Sequence, residues 1–149
     1  MYDSTNDTLL HIKRVNSLLI EFAKELLTRA QVHDQSKLES PEKEAFDIHT
    51  PKLAKSTYGS EEYEKALEGL GPALHHHYVN NSHHPEFYVN GIEGMNLLDL
   101  VEMFFDWKAA SERHEDGDIM KSIDINRERF GIPHALVKIF ENTASDMFR

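Results

Sequence analysis

Apolar residues recur along most of the chain three and four positions apart, the spacing that gathers side chains on one face of an α-helix. The clearest run extends from about Thr5 to Ala30, where Leu9, Ile12, Val15, Leu19, Phe22, Leu26 and Leu27 form a nearly continuous stripe. Asp3, Ser4 and Asn6 each carry a side-chain oxygen suited to cap its start. "LESPEKEAF" predicts a second start, with Ser40 as cap, Pro41 at the first helical position and acidic residues behind it. "YGS" at 58–60 breaks that segment. Ser60 then caps "EEYEKALEGLGPALHHHYVNN", in which Gly69, Gly71 and Pro72 predict a kink or a split. "SHHPEFYVNGIEG" reads as a loop. "MNLLDLVEMFFDWKAASERH" predicts a strong helix with Asn96 as its cap, ended by "EDGD" at 115–118. "IMKSIDINRERFG" predicts a further helix stopped at Gly131, and "PHALVKIFENTASDMF" closes the chain. Alternating β-branched runs and Asn-Gly hairpins are absent. The pattern predicts an all-α protein of five to seven helices, without coiled-coil repeats, forming a single compact domain over residues 1–149.

Composition narrows what such a domain does. A chain of 149 residues suffices for one hydrophobic core. No apolar run reaches the ~18 residues of a membrane span, and the N-terminus lacks the basic-then-apolar order of a signal peptide. The absence of cysteine excludes disulfides and thiolate metal ligands and points to the cytoplasm. A net charge of −10 disfavours non-specific nucleic-acid binding, which needs lysine and arginine against phosphates. A small anionic substrate stays compatible, because a bound metal reverses the local field.

The unusual residue is histidine. There are ten, five of them inside "HHHYVNNSHH". His11 falls on the apolar side of the first helix. His33-Asp34 follows that helix by one turn. His75, His76, His77, His83 and His84 cluster at the end of the middle helix. Asp106 sits between Phe105 and Trp107 on an otherwise apolar helix. A carboxylate in apolar surroundings is costly unless it is paired or binds a metal. Imidazole and carboxylate together suit Mn, Co, Zn, Ni or Fe.

The order of these residues resembles the HD-domain superfamily of metal-dependent phosphohydrolases. "HIKRV" at 11–15 looks like that superfamily's opening His-x-x-Arg-Val. "HDQSK" at 33–37 looks like its His-Asp-x-x-Lys, with Gln35 and Ser36 where a small apolar residue and glycine are usual. "EMFFDWKAA" at 102–110 looks like the helix bearing its last Asp, and "SHHPE" at 82–86 is similar to the His-His-Glu of its multi-metal branches. Within it, "YGSEEY", "HHYVNNSHHPEFY" and "DLVEMFFDWKAA" are similar to a small family of uncharacterised helical proteins of phage and bacterial genomes. The resemblance implies a first divalent transition metal on His11, His33, Asp34 and Asp106. It makes His77, His83 and His84 candidates for a second ion or for the substrate side, and His49 a further one by analogy. It implies hydrolysis of a small phosphoester, most plausibly a nucleotide, with one or two metals activating water. Asp34 would orient or deprotonate that water, Lys37 and Arg14 would meet phosphate oxygens, and His77, His83 or His84 would protonate the leaving oxygen.

Other readings of the same residues stand beside this one. If the middle helix continues, His77 and His84 share one face and His76 and His83 another, and spacing does not choose between them. Successive helical residues point ~100° apart, so at least one of His75, His76 and His77 faces solvent. Asp99, Glu102 and Asp106 also have the spacing of a solvated helix face, with Asp99 the alternative ligand. Glu86 is either a support for a histidine or simply exposed. Asn80 and Asn81 most simply end a helix. Arg127 and Arg129 could reach an anion, and the C-terminal helices otherwise suggest packing or a homo-oligomer. A di-iron oxygenase of HD type and a non-catalytic module binding a nucleotide or partner are the alternative functions.

Overall fold

Six α-helices and three short 3-10 turns make up the secondary structure, with no strand among the described residues. The computed structural model describes residues 2–55, 61–113 and 117–148. The expected break at 58–60 and the Ser60 cap lie outside the described residues. The helices belong to two compact units, one ending at His33 and one beginning at Asp34.

The first unit is α1, Thr5–Val32. Its start is held by Asp3, whose Oδ1 accepts hydrogen bonds from Thr5 N at 3.0 Å and from Thr5 Oγ1 at 2.6 Å. Ser4 occupies the cap position without a side-chain bond. The apolar stripe has the predicted phase, yet no α1 side chain is buried, and Leu9, Ile12, Leu19 and Leu27 are exposed. Periodicity decides which side of a helix is apolar, and burial requires a second element against it. At the C-terminus His33 turns extended (φ −49°, ψ 127°) and Asp34 follows in the left-handed region (φ 58°). Aspartate is one of the few non-glycine residues that tolerate this conformation.

The second unit opens with a 3-10 turn, Gln35–Leu38, and α2, Glu42–Lys55. The helix begins one residue after Pro41 rather than at it, with Lys43 N bonded to Glu39 O at 2.8 Å. α3, Glu61–Asn80, is one uninterrupted helix despite Pro72 within it. It packs along α2. Its buried stripe is Ala66, Leu70 and Ala73, small residues alternating with one large one, and His77 continues the same line. Gly69 lets the helices close: a Cβ there would lie 2.1 Å from His49 Cε1.

After α3 the predicted loop proves ordered by two 3-10 turns, Pro85–Phe87 and Gly91–Gly94, with Pro85 buried. α4 runs Leu97–Ser111. Asn96 caps it as expected, and Asp99 closes a reciprocal capping box. α5, Ile119–Phe130, starts at Asp118, whose carboxylate accepts from Met120 N, and stops at Gly131 in the left-handed conformation. α6 is His134–Met147. The core of this unit joins α4, α5 and α6: Met103, Phe104 and Trp107 meet Ile123, Ile132, Val137, Phe140 and Ala144. Phe104 stacks on Phe140 at 5.4 Å and Trp107 meets its edge at 5.7 Å. These contacts anchor one face of α4 and thereby orient the flank that carries Glu102 and Asp106. No described helix is long and apolar enough to cross a membrane.

Candidate metal centre

Asp34, His77, His83 and His84 each bring one oxygen or ring nitrogen to a common point, all within 4.8 Å of one another. Three different local structures deliver them. The left-handed turn after α1 aims Asp34 back across the start of the unit. The buried stripe of α3 carries His77 inward. The bend that follows Asn80 brings in His83 and His84, so these do not align with His77 along a helix face. The rings are nested: His77 and His84 centroids are 4.9 Å apart, and those of His83 and His84 4.2 Å.

The ring of His77 is oriented from behind. Its Nδ1 is 2.9 Å from Glu42 Oε2. Glu42 is fully buried and also meets His76 Nδ1 at 2.7 Å through Oε1, while Ser36 Oγ donates to Oε2 at 3.0 Å. A carboxylate offers only acceptors, so both imidazoles present N–H to it. That tautomer leaves His77 Nε2 as a lone pair. Nε2 lies 3.1 Å from Asp34 Oδ1, yet it is buried and makes no hydrogen bond. A cation between these two atoms would give both a partner. His83 repeats the arrangement, with Nδ1 3.3 Å from Glu102 Oε1 and Nε2 3.5 Å from Asp34 Oδ1. His84 Nε2 is likewise buried without a hydrogen bond. Such buried polar atoms call for a partner, and the donor set of imidazole and carboxylate fits a divalent transition metal.

Burial, then the neighbouring His83 and His77, push His84 down to about 3. The ring is therefore neutral near pH 7, with one of its two nitrogens free of a proton. Burial works to raise the Asp34 carboxyl, but contacts from His77, His83 and Lys37 outweigh it and hold the group well below the usual carboxylate range. Lys37 Nζ sits 2.6 Å from Asp34 Oδ2, leaving Oδ1 to the histidines. Burial likewise opposes ionisation of Glu42, and His76, Ser36 and His77 overcome it.

The remaining expected site residues sort as follows. His33 ends α1, half-buried, and is joined to Asp34 by the chain. Asp106 is half-buried, with an oxygen within 4.8 Å of a His83 ring nitrogen. His11 and Arg14 are exposed on α1, where His11 shares a face with Ile12, Val15, Asn16 and Leu19. His49 packs on Gly69 between α2 and α3. His75 is exposed, as the helix geometry demanded of one of the triplet. Asp99 is buried, and Ser82 Oγ at 2.8 Å, Tyr88 OH at 2.6 Å and Asn96 N at 2.9 Å all donate to it. Asn81 bonds His77 O at 2.8 Å and so closes α3, while its Nδ2 also reaches Ser36 Oγ at 3.1 Å.

Two contributors escape sequence reasoning. Glu42 reads as an ordinary first-turn acid, and Glu102 as part of a solvated face. Neither is exposed: Glu42 is buried and the Glu102 side chain is 14% accessible. A signal did exist for His77, since Ala66, Leu70, Ala73 and His77 repeat at four, three and four residues, the period of a buried stripe. Ser36, the departure from the usual His-Asp motif, is the residue that hydrogen-bonds Glu42.

The chain belongs to a family of unknown function, DUF5662, whose model matches residues 1–148. No curated protein matches it, and no solved structure does.

Proposed function

We propose that this member of the DUF5662 family is a metal-dependent phosphohydrolase acting on a small phosphoester, with a nucleotide the favoured substrate class. The observation that carries the reading is the convergence of Asp34, His77, His83 and His84 on one point, with the Nε2 atoms of His77 and His84 buried and without a hydrogen bond. The HD-like order of motifs directs the chemistry toward phosphoesters. One or two ions of Mn, Co, Zn, Ni or Fe suit the donors, and such an ion supplies Lewis acidity and lowers the pKa of water.

The chain's own groups divide the remaining work. Glu42 and Glu102 hold the imidazoles of His77 and His83 in orientation from the far side. Asp34, ionised, presents Oδ1 toward the histidines and would orient or deprotonate an attacking water. Lys37 neutralises its other oxygen and is the nearest cation for a phosphate oxygen. His84, unprotonated at neutral pH, fits a ligand better than a proton donor. A cytoplasmic setting accords with the lack of cysteine.

Elemental analysis of protein purified without chelator tests the reading, on wild type and on Asp34→Ala, followed by hydrolysis assays across a nucleotide panel with each metal. Wild type should hold metal that Asp34→Ala loses. A wild-type protein that neither holds nor takes up metal, and hydrolyses nothing, defeats the proposal. Bound iron with an oxygen-dependent optical signal and no hydrolysis would replace it with an oxygenase.

A further inference from the structure

Tyr78 lies one residue beyond His77 on α3, and its ring rests 4.7 Å from that of His84. Arg129, from the last turn of α5, also lies against Tyr78. Its guanidinium carbon is 5.8 Å from the centre of the Tyr78 ring and 4.6 Å from that of Phe130. The group thus lies against two aromatic rings, and the Tyr78 side chain is also a hydrogen-bond partner of it. One edge is taken by Glu86, at 2.7 Å from Nη2 to Oε1. The Arg129 side chain is still half exposed. Arg127, two residues earlier, pairs along its own helix with Asp124 and Glu128. Lys37, the cation nearest the four converging ligands, is already bound to Asp34.

We propose that Arg129 is a further anion-binding side chain of this site, and that it recognises a second phosphate of the substrate, with Glu86 standing in for that phosphate in the free protein. A planar guanidinium held on a carboxylate is pre-organised for a phosphate's paired oxygens. Tyr78 borders both His84 and Arg129, so the charge assigned to Arg129 is one other than the group undergoing hydrolysis. The substrate class this selects is a nucleoside di- or triphosphate rather than a monophosphate. Glu86 sets a threshold, because a ligand must displace it before reaching the arginine. The inference rests on the proposed function.

The test measures binding of AMP and of the non-hydrolysable α,β-methylene analogue of ADP by calorimetry. It uses metal-loaded full-length protein, with metal content measured on the same samples. Wild type should prefer the diphosphate analogue. Arg129→Gln should lose about tenfold or more of that affinity while binding AMP as before and retaining its metal. Arg129→Lys should recover only part of it, since lysine lacks the planar fork. Glu86→Gln should tighten the diphosphate analogue selectively. An Arg129→Gln protein that is metal-loaded and keeps the wild-type preference overturns the assignment while leaving the phosphohydrolase reading intact. A wild type that binds no metal overturns both.

Discussion

Glu42 Oε2 lies 2.9 Å from His77 Nδ1, and this contact turns the opposite nitrogen of His77 toward Asp34. A buried acid at the start of α2 thus determines which face of an imidazole on α3 is available for binding. Exchanging Glu42 for Gln keeps its shape but replaces one acceptor with an N–H donor, which opposes one of the two imidazole N–H groups. Metal affinity should fall about 10- to 100-fold, the usual effect of losing a group that orients a ligand. Competition against a chromophoric chelator measures it, with circular dichroism confirming an unchanged helix content. Wild-type affinity in Glu42→Gln would show that Glu42 is only a packing residue.

Metal should also stabilise the fold. An ion that binds the native state alone adds about 2.7 kcal/mol at a free concentration one hundred times its Kd. Chelator should therefore lower the thermal midpoint of wild type. Asp34→Ala and His77→Ala, each lacking a converging ligand, should show little or no shift with the same chelator. An equal shift in all three proteins would place the stabilising ion elsewhere.

Gly69 and Gly71 lie on the same helix and should respond to alanine in opposite directions. A Cβ at Gly69 meets the ring of His49 at 2.1 Å, whereas one at Gly71 meets nothing within 4 Å. Gly69→Ala should cost about 1–3 kcal/mol through forced displacement of that ring. Gly71→Ala should gain about 0.5–1 kcal/mol by removing a flexible residue from a helix interior. Urea denaturation reads both. Adding His49→Ala to Gly69→Ala should restore part of the loss, and a failure to do so would mean the strain is not at that contact.

Asp99 should act as the fastener of the segment bearing His83 and His84. Ser82, Tyr88 and the Asn96 backbone all donate to its carboxylate, tying both ends of that segment to the start of α4. Tyr88→Phe removes one donor from a buried charge and should cost about 1–3 kcal/mol. Metal affinity should weaken with it, because His83 and His84 are positioned by the same segment. Unchanged stability in Tyr88→Phe would show that the remaining donors are enough.

What the sequence determined by itself is what neighbouring residues decide. The span of α1, the Asn96 cap, the stop at Gly131 and the all-helical class follow from periodicity, side-chain capping and the left-handed freedom of glycine, each acting within about one helical turn. His33-Asp34 and the later histidines are legible as candidate ligands because of their chemistry and order. The tertiary structure alone decided which histidines meet. His77 is buried and His75 exposed because α3 turns one particular face to α2. His83 and His84 join it because the chain bends after Asn80, where a continued helix would have carried them away from that point. The supporting acids were hidden for the same reason. Glu42 looks like any first-turn acid until α3 packs beside it, and Asp99 like a solvent-facing residue until the segment before α4 folds over it. A residue's type states what it is able to bind, whereas its partner is set by the rotation of one helix against another, which no local stretch of chain encodes.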